Sequence, residues 1–494
     1  MSDRVPIRKL PSGVPGLDDV LGGGIPEFSF NLVAGGPGCG KTTLGHQIMF
    51  ANASPERKAV YFSVIGEPPI KMLRYQQQYA FFDSAKLGDG SVRIIHLGQQ
   101  ALDGGMAAVL DAVVQELERS SPEIVVVDSF RAMVRSALSG AGGELELTNF
   151  MQRLSLVLTS HKATTFLLGE YGDGEHDGAV FTVADGLVWL YQAIDRNSVV
   201  RKLQVMKMRG QGQIPGLHTA RITDEGFSVF PRILKPEENV TNRPLAHRLG
   251  SGVPGLDKMM NGGIPRGYSV LVAGPSGSGK TVLSNQFLVE GIERGENGIV
   301  AVFEKRPNDY LQTTPRGAEF QKLVRQNKLE VLYLRPLDLS IDETLSELKN
   351  AVKRIGAKRA VIDSLSGLEL ALAPTFRDDF RESLYRMMGA LTGLGVTVMA
   401  TVELADSYVD LRFSPQGIAF LTDAIIIQRY VEIDGQLRRA IAVVKVRSSS
   451  HSKELREYDI TSDGGIVVGK ALKGYEGLLT GTPSTNRARR KRRT

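Results

Sequence analysis

Two octapeptides in the sequence have residue types and spacing suited to gripping a phosphate chain. They are Gly35-Gly36-Pro37-Gly38-Cys39-Gly40-Lys41-Thr42 and Gly274-Pro275-Ser276-Gly277-Ser278-Gly279-Lys280-Thr281. Both fit the spacing G-x-x-x-x-G-K-[ST]. Glycines at 35, 38 and 40, and at 274, 277 and 279, let the backbone wrap an anion with its N–H groups, and the N-terminus of a following helix adds a favourable field. Lys41 and Lys280 reach the terminal phosphates. Thr42 and Thr281 offer a hydroxyl to Mg²⁺, with Thr43 beside the first. A strand-like run precedes each loop (28–34 and 268–273), and a helix-compatible run follows from Lys41 and from Lys280. A chance glycine-rich turn does not explain two copies in matching surroundings, so nucleotide phosphate binding is predicted at both.

Phosphate-loop chemistry needs an aspartate at the end of an apolar strand, on the second side of Mg²⁺. Asp128-Ser129 after 124–127 and Asp363-Ser364 after 359–362 fill that place. Hydrolysis also needs a carboxylate to orient or deprotonate the attacking water. The candidates are Glu67 in Gly66-Glu67-Pro68-Pro69 and Glu304 in Glu304-Lys305-Arg306-Pro307. Registering the two stretches on Pro69 and Pro307 pairs Gly66 with Glu304 and Glu67 with Lys305, so each half keeps one acid at a different position. Two basic pairs recur late in each half, Lys207-Met208-Arg209 and Lys445-Val446-Arg447. Two-residue spacing on a strand puts both cations on one face. At a subunit edge they would reach a neighbour's γ-phosphate in trans.

The elements that must position these residues also occur twice. Residues 10–44 and 249–283 align without gaps, with 21 of 35 positions identical. The pattern predicts a first domain over 1–230, a linker over 231–248, a second domain over 249–470 and a tail over 471–494. Each domain alternates apolar strand-like runs with helical patterns, which predicts an α/β fold with a mainly parallel sheet flanked by helices. Predicted strands lie at 59–65, 124–128 and 164–169, and at 299–303, 359–363 and 397–402. Predicted helices lie at 70–79, 106–119, 145–161 and 342–355. Each domain ends in a predicted hairpin, 187–191 with 199–208 and 424–430 with 438–446. Asp434-Gly435 supplies turn residues that accept positive φ. The loop at 171–178, with Asp173, Glu175, His176 and Asp177, fits no defined metal site and reads as a solvated acidic loop.

Composition bounds the class. With 494 residues, 42% hydrophobic and 23% charged, the chain reads as a soluble multidomain protein. No apolar run approaches membrane-helix length and no secretory pattern opens the sequence, so a cytoplasmic location is expected. The single cysteine, Cys39, leaves no intrachain disulfide. The formal charge of +6 belongs to the stretch 487–494, which carries six cations and leaves the rest neutral. Nucleic-acid binding is therefore expected only through that basic tail.

Together these pieces resemble the KaiC family of clock ATPases within the RecA-like superfamily. The likeness covers about residues 5–480. It rests on the Ser-Gly-Val-Pro-Gly-Leu-Asp lead-in at 12–18 and 251–257, the two phosphate loops, the two Asp-Ser strand ends, the two Lys-x-Arg pairs and the stretch 421–433. The resemblance implies tandem RecA-like phosphate-loop NTPase domains in a two-tiered homohexamer, with ATP and Mg²⁺ at subunit interfaces. Lys207, Arg209, Lys445 and Arg447 would contact that ATP. It further implies an ATPase first half, a serine/threonine autokinase second half and a protein signalling partner.

Several residues depart from the family pattern. The family has adjacent glutamates after the strand in both halves, where this chain has Gly66-Glu67 and Glu304-Lys305. Its phosphorylated Ser-Thr pair falls on Ala419-Phe420, which have no hydroxyl, with Ser414 the nearest upstream substitute. Ser448-Ser449-Ser450-His451 matches the family's segment after Lys-x-Arg, whereas Gly210-Gln211-Gly212 lacks the histidine. The short basic tail differs too, so the resemblance carries no circadian role to this chain. The leading expectation is a KaiC-like ATP-hydrolysing switch. The alternatives are a RecA-like motor on nucleic acid and a nucleotide-sensing scaffold with negligible turnover.

Overall fold

The computed structural model describes residues 6–63, 69–129, 143–172, 179–195, 198–232, 247–334, 339–377, 380–404, 421–478 and 484–485. The chain separates into two compact units, Met1–Arg232 and Ile233–Thr494. Most of the predicted linker, the loop 173–178, Glu67, Ser414, Ala419-Phe420 and the basic tail lie outside the described residues.

In the first unit the order is β1 (Phe30–Gly35), α1 (Lys41–Asn52), β2 (Ala59–Ser63), α2 (Pro69–Gln76), β3 (Val92–His96), α3 (Gly98–Ser120), β4 (Ile124–Asp128), α4 (Gly143–Ser160) and β5 (Thr164–Glu170). Then come β6 (Gly186–Asp195), β7 (Ser198–Met208), β8 (His218–Thr223) and β9 (Gly226–Phe230). One nine-stranded sheet runs β9-β8-β7-β6-β1-β5-β4-β2-β3. The six strands from β6 to β3 are parallel, and β6 to β9 form an antiparallel meander.

β1 is buried along its whole length, as expected of a strand covered on both faces. Its alternate residues serve two layers. Phe30, Leu32 and Ala34 pack with Leu110, Val113 and Leu154 of α3 and α4. Val33 packs with Leu44 and Ile48 of α1.

The second unit repeats this plan with β10 (Ser269–Gly274), α5 (Lys280–Glu293), β11 (Gly298–Val302), α6 (Pro307–Thr313), β12 (Leu329–Tyr333), α7 (Ile341–Ile355), β13 (Arg359–Asp363), α8 (Phe380–Gly393) and β14 (Thr397–Glu403). It closes with β15 (Ala424–Ile433), β16 (Gln436–Val446), β17 (Arg456–Ile460) and β18 (Ile466–Ala471). Its sheet order, β12-β11-β13-β14-β10-β15-β16-β17-β18, is that of the first unit. Both units are therefore mainly parallel, helix-flanked sheets of the tandem RecA-like plan. The predicted hairpins form as β6–β7 and β15–β16, and Asp434 and Gly435 turn the second with φ of 52° and 72°. Among the described residues, no helix is long and apolar enough to cross a membrane.

Candidate functional site

Each phosphate loop leaves the end of its central strand, β1 or β10, and enters its helix through a glycine in the left-handed region. Gly40 has φ 98° and Gly279 has φ 94°. A Cβ at Gly40 would stand 2.5 Å from Ile222 Cδ1, and one at Gly279 would stand 2.8 Å from Ile460 Cδ1. Glycine is thus required twice over, by conformation and by the meander strand packed behind the loop. Neither helix N-terminus has a side-chain cap, so its first-turn N–H groups have no capping side chain to satisfy them.

The loop lysines lie across their own loops. Lys41 Nζ donates to the carbonyl oxygens of Gly35 and Gly36 at 2.9 and 2.7 Å, and Lys280 Nζ to those of Gly274 and Pro275 at 2.8 and 2.7 Å. Burial pulls both ammonium pKa values below the usual lysine range, while neighbouring anions pull the other way. Those anions include Glu170 and Asp128 for Lys41, and Glu403, Asp363 and Glu304 for Lys280.

Parallel pairing brings the end of β4 beside the loop of the first unit, and the end of β13 beside that of the second. Thr42 Oγ1 donates to Asp128 Oδ2 at 2.8 Å, and Thr281 Oγ1 to Asp363 Oδ2 at 2.9 Å. The Asp128-Ser129 and Asp363-Ser364 peptide bonds are both cis. Burial pushes the Asp128 carboxyl pKa up, opposed by hydrogen bonds from Tyr61 and Thr42 and by the Lys41 charge. This donor set, hydroxyl and carboxylate oxygen only, fits a hard divalent cation such as Mg²⁺. In the second unit a cleft of about 440 Å³ is bordered by Lys280, Thr281, Glu304, Tyr310, Asp363 and Glu403. That volume lies within the usual small-ligand range. Glu304 therefore stands in the same cleft as the loop. Lys305, at the position of Glu67, donates to Thr313 Oγ1 at 3.1 Å.

The Lys-x-Arg pairs sit elsewhere. Met208 pairs with Gly186, and Arg209 N–H donates to Asp185 O, at the start of the sheet. Asp185 in turn accepts from the N–H of Phe30, the first residue of β1. The loop leaves the other end of that strand, roughly 17 Å away at the usual rise per residue. Arg209 forms an ion pair with Asp185 at 3.0 Å, and Arg447 one with Asp423 at 3.2 Å. Lys207 and Lys445 donate to backbone carbonyls, of Phe181 and Thr182 and of Thr422 respectively. The structure thus keeps both pairs away from the loop of their own unit.

Two acids that the sequence reading passed over do join the loops. Glu170 ends β5 in register with Gly35, and Glu403 ends β14 in register with Gly274. A glutamate directly after each predicted strand, 164–169 and 397–402, was the available signal. Tyr61 and Thr401, which donate to Asp128 and Asp363 at 2.6 Å each, were also missed. No local pattern marks them, because their role depends on strand pairing.

Comparison with known proteins agrees with this geometry. A family model described as "ATPase: KaiC" matches residues 10–233 and again residues 249–473. The circadian clock oscillator protein KaiC of Picosynechococcus sp. is 27% identical over 486 residues, spanning 97% of this chain and 93% of its own length. That of Synechococcus elongatus is 27% identical over 496 residues, spanning 98% and 93%. The Prochlorococcus marinus protein is 26% identical over 493 residues, spanning 98% and 97%. With both units matched over almost their whole length, this chain belongs to the KaiC family of ATPases.

Proposed function

We propose that the chain binds Mg-ATP at both phosphate loops, hydrolyses it, and uses the nucleotide state to change shape for a protein partner, as a cytoplasmic homohexamer with ATP at its subunit interfaces. The observation that carries this reading is the trio of Lys41, Thr42 and Asp128, reproduced by Lys280, Thr281 and Asp363. On binding, each lysine exchanges loop carbonyls for β/γ-phosphate oxygens while the loop and first-turn N–H groups enclose the phosphates. Thr42 with Asp128, and Thr281 with Asp363, would hold Mg²⁺, which neutralises phosphate charge when bound. Glu304 orients and deprotonates the attacking water in the second unit, and Glu67 is assigned that role in the first. The position of Lys207, Arg209, Lys445 and Arg447 supports contact with the ATP of a neighbouring copy. Any serine/threonine autokinase activity would use hydroxyls other than the family pair, because Ala419 and Phe420 have none.

The test is ATP turnover by the full chain with Mg²⁺, with and without single-stranded DNA, followed by mass spectrometry of the protein. The expected result is slow hydrolysis that DNA does not stimulate and that the double variant Lys41→Ala, Lys280→Ala abolishes. Turnover surviving that double change would overturn the site assignment, and strong DNA stimulation would replace the switch by a motor.

A further inference from the structure

The two units hold their strand-end aspartate by different means. In the first, Thr42 Oγ1 and the Tyr61 phenol both donate to Asp128 Oδ2, at 2.8 and 2.6 Å. In the second, Thr281 donates to Asp363 Oδ2 at 2.9 Å and Thr401 to Oδ1 at 2.6 Å. The second donor comes from opposite neighbours in the sheet, β2 in one case and β14 in the other.

Strand register shows this to be an exchange. Asp128 pairs with Leu168 of β5, which has no donor. Thr401 follows the paired Ile362 and Ala400 and so stands at the place that Leu168 holds in the first unit. On the other side Tyr61 pairs with Val126, and the corresponding pair in the second unit is Val300 with Val361. At these two positions each unit lacks the side-chain donor that the other has. Packing follows the exchange. A Cβ at Gly45 would approach Leu168 Cδ1 to 3.0 Å, and the matching positions of the second unit hold Ser284 and Thr401, both buried. His46 meets the Tyr61 ring edge-on at 4.5 Å. Its counterpart Asn285 instead accepts from Tyr310, on α6, at 2.7 Å.

We propose that Tyr61 is the positioning residue for the cation-side aspartate of the first unit, doing through a phenol what Thr401 does in the second. The exchange sets how the two sites take Mg²⁺. Among the described residues both donors fall on Oδ2 and leave Asp128 Oδ1 for the water shell of a cation, whereas both oxygens of Asp363 are already engaged. The first site therefore saturates at lower Mg²⁺ than the second. This inference rests on the Mg-ATP reading of both sites.

The test follows binding of a fluorescent ATP analogue to the full chain during a Mg²⁺ titration, with one site silenced at a time. In a Lys280→Ala background, Tyr61→Phe raises the Mg²⁺ needed for half-maximal binding about tenfold, the scale of one hydrogen bond to a charged group. Adding Leu168→Thr to Tyr61→Phe supplies the donor from the other side and brings the midpoint to that of the native second site. In a Lys41→Ala background Thr401→Val raises the second-site midpoint to the level of Tyr61→Phe at the first, a rise of less than tenfold, and Tyr61→Phe produces none. Leu168→Thr alone, which leaves Tyr61 in place and occupies Oδ1, raises the first-site midpoint even if Tyr61→Phe does not fold. A Tyr61→Phe midpoint that is unchanged or lower, or a double variant no better than the single, overturns the proposal. Absence of any binding to the native chain overturns the Mg-ATP reading along with it.

Discussion

The first phosphate loop carries Cys39 and is followed by His46 on its helix, with Leu168 on the neighbouring strand β5. The second has Ser278, Asn285 and Thr401 at the same places, and all six are buried. The loops themselves match in glycine placement, in the fold of the lysine over two carbonyls and in the Thr–Asp distance. The cradle is made of backbone, and backbone does not record which side chain packs beneath it. Its support is made of side chains, and there each unit has its own solution. The first is more aromatic, with His46 against Tyr61 and the chain's only tryptophan, Trp189, in register with Ala34 of β1. The second is more polar, with Tyr310 tied to Asn285 and Tyr458 donating to the carbonyl of Ser278. Two sites of one ancestry can thus share a ligand and differ in how firmly, and under which conditions, they hold it.

The sharpest way to break this comparison is to silence one site at a time. Lys41→Ala removes turnover in the first unit and Lys280→Ala in the second, so the activity left in each single variant reports the opposite unit. Equal residual activities would mean that the differing supports do not matter to rate. Next in size is Glu304→Gln, which lowers second-unit turnover about 100-fold, in the range of lost general-base assistance. Measured in a Lys41→Ala background, nucleotide affinity should stay within about twofold, because the change leaves the loop intact.

Arg209→Ala and Arg447→Ala test the edges of the units rather than the cradles. With the other unit silenced, by Lys280→Ala for Arg209→Ala and by Lys41→Ala for Arg447→Ala, each is expected to cut the remaining turnover at least about tenfold in assembled protein, with nucleotide affinity at dissociating protein concentration unchanged. An equal loss in the dissociated protein would place these arginines in their own unit's chemistry, against the roughly 17 Å length of β1.

The smallest effect is acid sensitivity. Burial drives the His46 pKa down to about 3, from an ordinary value of 6.5. Below pH 6.5 the unfolded chain takes a proton that the folded first unit refuses, so stability falls as pH falls, down to about pH 3. At pH 5 the loss is about 2 kcal/mol. Asn285 has no such proton to take. The first unit, followed by Trp189 fluorescence, should therefore melt earlier at pH 5 than at pH 7, and His46→Asn should remove most of that difference. An unaltered shift in the variant would assign the acid response to other groups.

Much of the fold was legible because its signals are local. Glycines at fixed offsets, an Asp-Ser pair closing an apolar run, and Asp434-Gly435 at a hairpin turn each state a backbone requirement in a few residues. The edge strands β3 and β12 were not predicted, because Arg93, His96 and Glu330 interrupt their apolar character where one side of the sheet ends. The meander strands β8, β9, β17 and β18 were missed as well. Helix α3 begins at Gly98, eight residues before the predicted start, with a non-helical φ of 62° at Gly105 inside it. At the site, the loops and both aspartates were legible. Glu170 and Glu403 were visible as residue types but gained meaning only from the register that sets them beside Gly35 and Gly274. Tyr61 and Thr401 had no sequence signal, since a tyrosine or threonine in an apolar strand is ordinary until its neighbour across the sheet is known.

The most direct test of the two-cradle account is the number of Mg-ATP molecules bound per chain at saturation. The account predicts two for the native protein, one for Lys41→Ala, one for Lys280→Ala and none for the double variant. A native chain that binds none, or a double variant that still binds two, would contradict it.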